Sequence, residues 1–242
     1  MTAQLATQSS KLIDEINSHI SNGVLNDVFV QRVKNAAINT MAHFPFESHI
    51  LLSFVDAYHF NHIGMKEHMR IAINLKEDAT THINYATSCA LANLPHEAAI
   101  EAQKAHDLEP HNPYITEMMV GYLINIGEIE KASKYMDNIS SNLSTTIATS
   151  MILLNNKSIN IDHLRTYTEH AWEIISERKY HERHIIIQAD LDPGYEGVYY
   201  DFCIGQDADT CAELTTELIS RIASDMGVEN MPSALNISFS PW

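Results

Sequence analysis

Residues 98–110 read AAIEAQKAHDLEP, and the placing of the alanines in this stretch decides how the chain folds. Ala98, Ala99, Ala102 and Ala105 recur at helical spacing, and Pro110 closes the run. A helix whose buried face carries mainly methyl groups lets a neighbouring backbone come close, where an ordinary surface helix buries Leu and Ile. The stretch therefore predicts tight packing between helices.

Comparing the chain with itself extends this reading. His82, Tyr85, Ala86 and Cys89 precede the alanine run on one helical face. Farther on by 34 residues, Met119 and Leu123 follow the first set, and Ala132, Met136 and Ile139 follow the second. Gly127 marks the turn between the two helices of that second unit. The arrangement resembles the tetratricopeptide repeat, with Ala98, Ala105 and Pro110 on its small and terminating positions and Gly127 and Ala132 on its turn and small positions. His82 stands where that family usually has Trp, Ala102 stands for a large aromatic, and Ile139 replaces the second small residue. The resemblance is clear over about 79–140, and Ala72 and Leu75 echo it in the unit before.

The resemblance implies a concave groove lined by the first helix of each pair and filled by a peptide or protein partner. Carried over residue by residue, it names Ile50, Phe54 and Tyr58, then Ile83, Thr87 and Leu91, then Tyr114, Glu117 and Asn125 as partner-binding residues. Chaperone-binding members of the family clamp a carboxylate with Lys and Asn, whereas Ile83 and Thr87 occupy such places here. An apolar groove with aromatic anchors is the expectation, and no catalytic residues are assigned.

Other helices extend the array. Leu5, Leu12, Ile13, Ile16 and Ile20 form a stripe over 3–21, Asn22-Gly23 breaks it, and Val28, Val33, Ala36, Ala37 and Met41 mark the next helix. STTIATSMILL and IDHLRTYTEHAWEIISERK read as two more helices, with Asp162 as N-cap of the second. After residue 181 the period changes: HIIIQADLD, GVYYDFCIG and ALNISFS alternate at strand length. Between the second and third, Leu214, Leu218, Ile222 and Met226 stripe a helix capped by Asp207 or Asp209 and by Gly227. The order is β-β-α-β. Such a small sheet needs support, expected from Leu164, Tyr167, Ala171 and Ile175. The fold class is thus α+β: a mainly helical repeat solenoid over 1–180, closed by a small β-β-α-β domain with a three-stranded sheet over 181–242.

Composition narrows the function. Acidic residues number 31 against 15 basic, a net charge of -16 that repels nucleic-acid phosphates and anionic membranes. No apolar run is long enough to span a bilayer, and the first residues lack the order of a signal peptide, so the cytoplasm is expected. Cys89, Cys203 and Cys211 form no CxxC pair and read as free thiols. The 14 histidines include His59-x-x-His62 and His181-x-x-His184, neither with the spacing of a zinc site. The acidic turn around Asp190 and Asp192 lacks the Gly and Glu of a calcium loop. No metal, cofactor or phosphate-binding motif is read. The leading expectation is a non-enzymatic interaction protein. The alternatives are an enzyme with its site around His181, His184, Asp190 and Asp192, or an acidic inhibitor of a basic protein.

Overall fold

The alanine run lies on the second helix of a hairpin, and the hairpin recurs. The computed structural model describes residues 11–16, 18–19, 25–156, 159–181, 184–192 and 196–241. These fall into two compact units, Met1–Pro110 and His111–Trp242.

In the first unit, residues 11–16 and 18–19 are helical (α1). They are followed by α2 (Asp27–Thr40), α3 (Pro45–Tyr58), α4 (His62–Leu75), α5 (Ala79–Leu91) and α6 (Pro95–Leu108). Helices α3 with α4 and α5 with α6 form hairpins, and α3 also lies against α5. The turn of each hairpin contains one residue in the left-handed region, Phe60 and Asn93. Asp78 caps α5 by accepting from Thr81 N, and Pro45 and Pro95 open α3 and α6 from the first turn, where no N–H is needed.

The alanines behave as their spacing demands. Ala98, Ala102 and Ala105 are fully buried, as are Ala86 and Cys89 on the facing helix and Met65, Met69 and Ala72 on α4. In α2 the phase differs from expectation. Val28 is 82% exposed, and the core takes Phe29, Val30, Val33 and Ala37. Asn26 is the N-cap, and counting from it Val30, Val33, Ala37 and Thr40 share the inward face, with Val28 pointing away. Of the first stripe, Leu12 and Ile16 are buried; Leu5, Ile20 and the Asn22-Gly23 break lie outside the described residues.

The second unit starts with α7 (Pro113–Asn125), whose N-cap Asn112 repeats the 34-residue step from Asp78. Its partner is short. Helix α8 covers only Ile129–Ala132 and tightens into a 3-10 turn over Ser133–Asn138. Met136 and Ile139 stand where α6 has alanines, so the close approach that holds a full second helix is missing. Gly127 makes the α7–α8 turn at φ 76°, and a Cβ there would lie 3.1 Å from the backbone of Leu164 and Arg165. Then come α9 (Ser141–Asn156) and α10 (Ile161–Arg178). Asn160, not Asp162, caps α10, because its side chain reaches Asp162 N.

The remainder is β1 (His184–Asp190), β2 (Gly197–Cys203), α11 (Ala208–Met226), a 3-10 turn at Val228–Asn230 and β3 (Leu235–Ser240). The sheet order is β1-β2-β3, with β1–β2 antiparallel and β2–β3 parallel across α11. Asp207 caps α11 through Thr210 N, and Gly227 ends it at φ 81°. The register aligns Ile185, Phe202 and Phe239, and likewise Ile187, Tyr200 and Ile237. Val198, Tyr200, Phe202, Leu235, Ile237 and Phe239 are buried, while Ile185 and Ile187 are half-buried. The support expected from α10 is present: Leu164, Tyr167, Ala171 and Ile175 are buried, and Trp172 meets Phe202 edge-on at 5.5 Å. The β-β-α-β segment thus shares one unit with α7–α10. No helix among the described residues is long and apolar enough to cross a membrane.

Candidate functional site

The nine residues assigned to a groove fall into two groups. Ile50, Phe54, Ile83 and Thr87 are 1%, 3%, 7% and 8% exposed, so they are core positions rather than contact positions. For Ile50 and Phe54 the reason is the chain before them, with which they share one core cluster. Phe54 and Val55 face Ile16, Leu25, Phe29, Val30 and Val33, and the gap left among them is about 10 Å³. Tyr58 and Leu91 line the same gap but keep part of their surface. Tyr114, on the first turn of α7, is 55% exposed; Glu117 is exposed and Asn125 half-buried.

The last turn of α7 is tied down. Trp172 Nε1–H donates to Asn125 O at 3.0 Å, and the Tyr200 hydroxyl donates to Ile124 O at 3.2 Å. Carbonyls at a helix end have no partner within the helix; Trp172 supplies one for Asn125 O, and Tyr200 adds a second donor to Ile124 O, which also accepts from Gly127 N at 2.9 Å. Burial pushes the Tyr200 hydroxyl far above its ordinary pKa, so it remains a donor. Beside this turn, Glu128 accepts from Arg165 at 3.0 Å and pairs with Lys131 at 3.2 Å. Burial works to raise its pKa, but those two cations outweigh it and hold the carboxyl below its ordinary value.

A polar cluster not anticipated from sequence joins α3 to α4. His49 Nδ1 and His68 Nδ1 are 2.9 Å apart, and His68 Nε2 lies 3.6 Å from Asp56 Oδ2. Asn61 Nδ2 donates to Asp56 Oδ1 at 3.0 Å. A Cβ at Gly64 would collide with Asp56 Oδ2 and Asn61 Nδ2, so glycine leaves the carboxylate its place. A hydrogen bond between two imidazoles needs one neutral acceptor, so the pair holds together with at most one positive charge. Burial first, and then the nearby His68, lower the His49 pKa; Glu67 works against them. The signal in the sequence was His49 and Asp56 seven apart on one helix face, two turns of one stripe.

The residues of the enzymatic alternative sit on and beside β1. Asp190 Oδ1 accepts from Asp192 N at 2.8 Å, a local turn contact. His181 lies just before the strand and His184 is its first residue. An open hollow of about 500 Å³ along the strand is lined by Thr146, Ile187, Gln188, Ala189, Asp190 and Tyr199. Among the described residues no three His, Cys, Asp or Glu side chains converge as metal ligands. The three cysteines are free and buried. Burial raises the thiol pKa of Cys89 and Cys211, which keeps both protonated and unreactive.

No protein-family model, no curated protein and no solved structure matches the chain.

Proposed function

We propose that this chain is a non-enzymatic interaction protein of tetratricopeptide type that takes a peptide or protein partner on the exposed side of its first helices, in the cytoplasm. The observation that supports this reading is a hairpin that is complete in α3–α4 and α5–α6 and shortened in α7–α8, with first helices starting after Phe44, Asp78 and Asn112 and left-handed turns at Phe60, Asn93 and Gly127. Repeats of this kind stack because each unit cannot bury its apolar face alone, and stacking leaves a continuous surface free for a partner.

Burial separates the residues read from sequence. Ile50, Phe54, Ile83 and Thr87 shape the helices from inside; Tyr58, Leu91, Tyr114, Glu117 and Asn125 keep accessible surface. On α7, Tyr114 serves as the aromatic anchor, since an exposed tyrosine offers a large rigid area with a polar tip. A second reading, an acidic inhibitor of a basic protein, is favoured by the charge of -16.

The test is calorimetry on a partner captured from native lysate, with wild type and Tyr114→Ala compared at low and high salt. The groove reading expects Tyr114→Ala to weaken binding by about tenfold or more, with a modest effect of salt. Binding that ignores Tyr114→Ala but collapses with salt supports the inhibitor instead.

A further inference from the structure

The two edges of the sheet are built differently. At β3, the Phe239 N–H that would point at empty space donates to Thr215 Oγ1 of α11 at 3.0 Å. The Thr215 hydroxyl in turn donates to Cys211 O at 2.9 Å, so the edge is closed by a side chain held in place. At β1 no strand lies beyond among the described residues. Helix α9 touches both β1 and β2, which puts it over the sheet rather than alongside its edge. The open hollow along Ile187–Asp190 borders this strand.

Exposed edges are normally blunted by Lys, Pro, a bulge or short length. Strand β1 has none of these. Its seven residues pair one for one with β2, and its sequence HIIIQAD carries three consecutive isoleucines. Ile186, on the face away from Tyr200 and Phe202, is 36% exposed.

We propose that this edge pairs with the same edge of a second copy of the chain, antiparallel about a two-fold axis through Ile187, joining two three-stranded sheets into one. The occupant follows from complementarity. In this register Ile187 faces the second copy's Ile187, Ile186 faces Gln188, Ile185 faces Ala189, and position 184, a histidine, faces Asp190. The strand's one carboxylate is matched with a histidine, and no like charges are brought opposite each other, in a chain of net charge -16. A two-fold pairing is closed, so it yields a dimer and no fibre. Because the copies repel at long range, added salt tightens the dimer by screening.

The test is sedimentation of the full chain over a wide micromolar range with three forms: wild type, Ile186→Lys/Gln188→Lys and Ile186→Lys/Gln188→Glu. The first variant sets lysine opposite lysine twice; the second sets lysine opposite glutamate twice. Both positions point away from the buried face, and melting curves check that the fold stands. The proposal expects a wild-type dimer that tightens with salt. It expects a dissociation constant raised about tenfold or more by the Lys/Lys pair and restored by the Lys/Glu pair. Hydrogen exchange on the wild type gives a readout free of any variant, with β1 amides more protected at high concentration. A wild type that stays monomeric throughout, a dimer indifferent to the Lys/Lys change, or β1 amides exchanging at one rate at all concentrations overturns it.

Discussion

His82 and Glu101 meet Nδ1 to Oε2 at 2.7 Å between α5 and α6, with side chains only 6% and 10% exposed. Lys104 Nζ donates to the second Glu101 oxygen at 2.8 Å, so the carboxylate is satisfied on both sides. Such a pair contributes little net stability but is costly to break from one side. Glu101→Leu leaves a buried imidazole N–H without its partner and costs about 1–3 kcal/mol. The double change His82→Phe/Glu101→Leu recovers most of that loss. Denaturant unfolding of both variants checks this; a double variant as unstable as the single one contradicts it.

The alanine face predicts a steric limit. Ala98 and Ala105 have no exposed surface, and α6, which carries them, packs along α5. Ala105→Leu has nowhere to place three further carbons and costs on the order of 1–3 kcal/mol. Ala→Leu at exposed Ala212 on α11 is the control and leaves the melting temperature nearly unchanged. Equal melting temperatures for the two variants sink the packing argument.

Acid acts on the α3–α4 hairpin through His49. Its pKa is lowered in the folded chain, by burial and then by His68, while the unfolded chain titrates near the ordinary 6.5. The unfolded state therefore binds a proton that the folded state refuses, and stability is full above that value and declines as pH falls below it. Glu67, which works to raise that pKa, opposes the decline without cancelling the shift. Urea midpoints measured on either side of pH ~6.5 show the drop, and His49→Gln makes it shallower. An unaltered pH dependence in that variant shows that the histidine pair is not its source.

The sheet and its crossover helix were legible because their signals are local. Asp207 and Gly227 bound α11, and alternating Val198, Tyr200 and Phe202 mark the buried side of β2. The first helices were harder. Helix α5 is buried over most of its circumference, from Thr81 to Cys89 apart from half-buried Tyr85. When a helix is enclosed, an apolar residue facing a groove and one facing the core look the same in sequence, so the burial of Ile83 and Thr87 was not legible there. The cap of α10 was shifted by two residues because Asn160 and Asp162 are both good caps, and only geometry separates them. The His49–His68 contact spans 19 residues and two helices, beyond any single-helix pattern.

The anchors of α7 come late in the chain. Trp172 and Tyr200 lie 47 and 76 residues beyond the carbonyls they hold. Hairpins in the first unit close over short separations and can form soon after synthesis. A ribosome adding about 5–20 residues per second needs roughly 4–15 s between Ile124 and Tyr200. During that interval α7 has emerged without the two side-chain donors that hold its last turn. The order of elements along the chain thus leaves the end of nascent α7 to wait for anchors that a product ended before residue 172 lacks altogether.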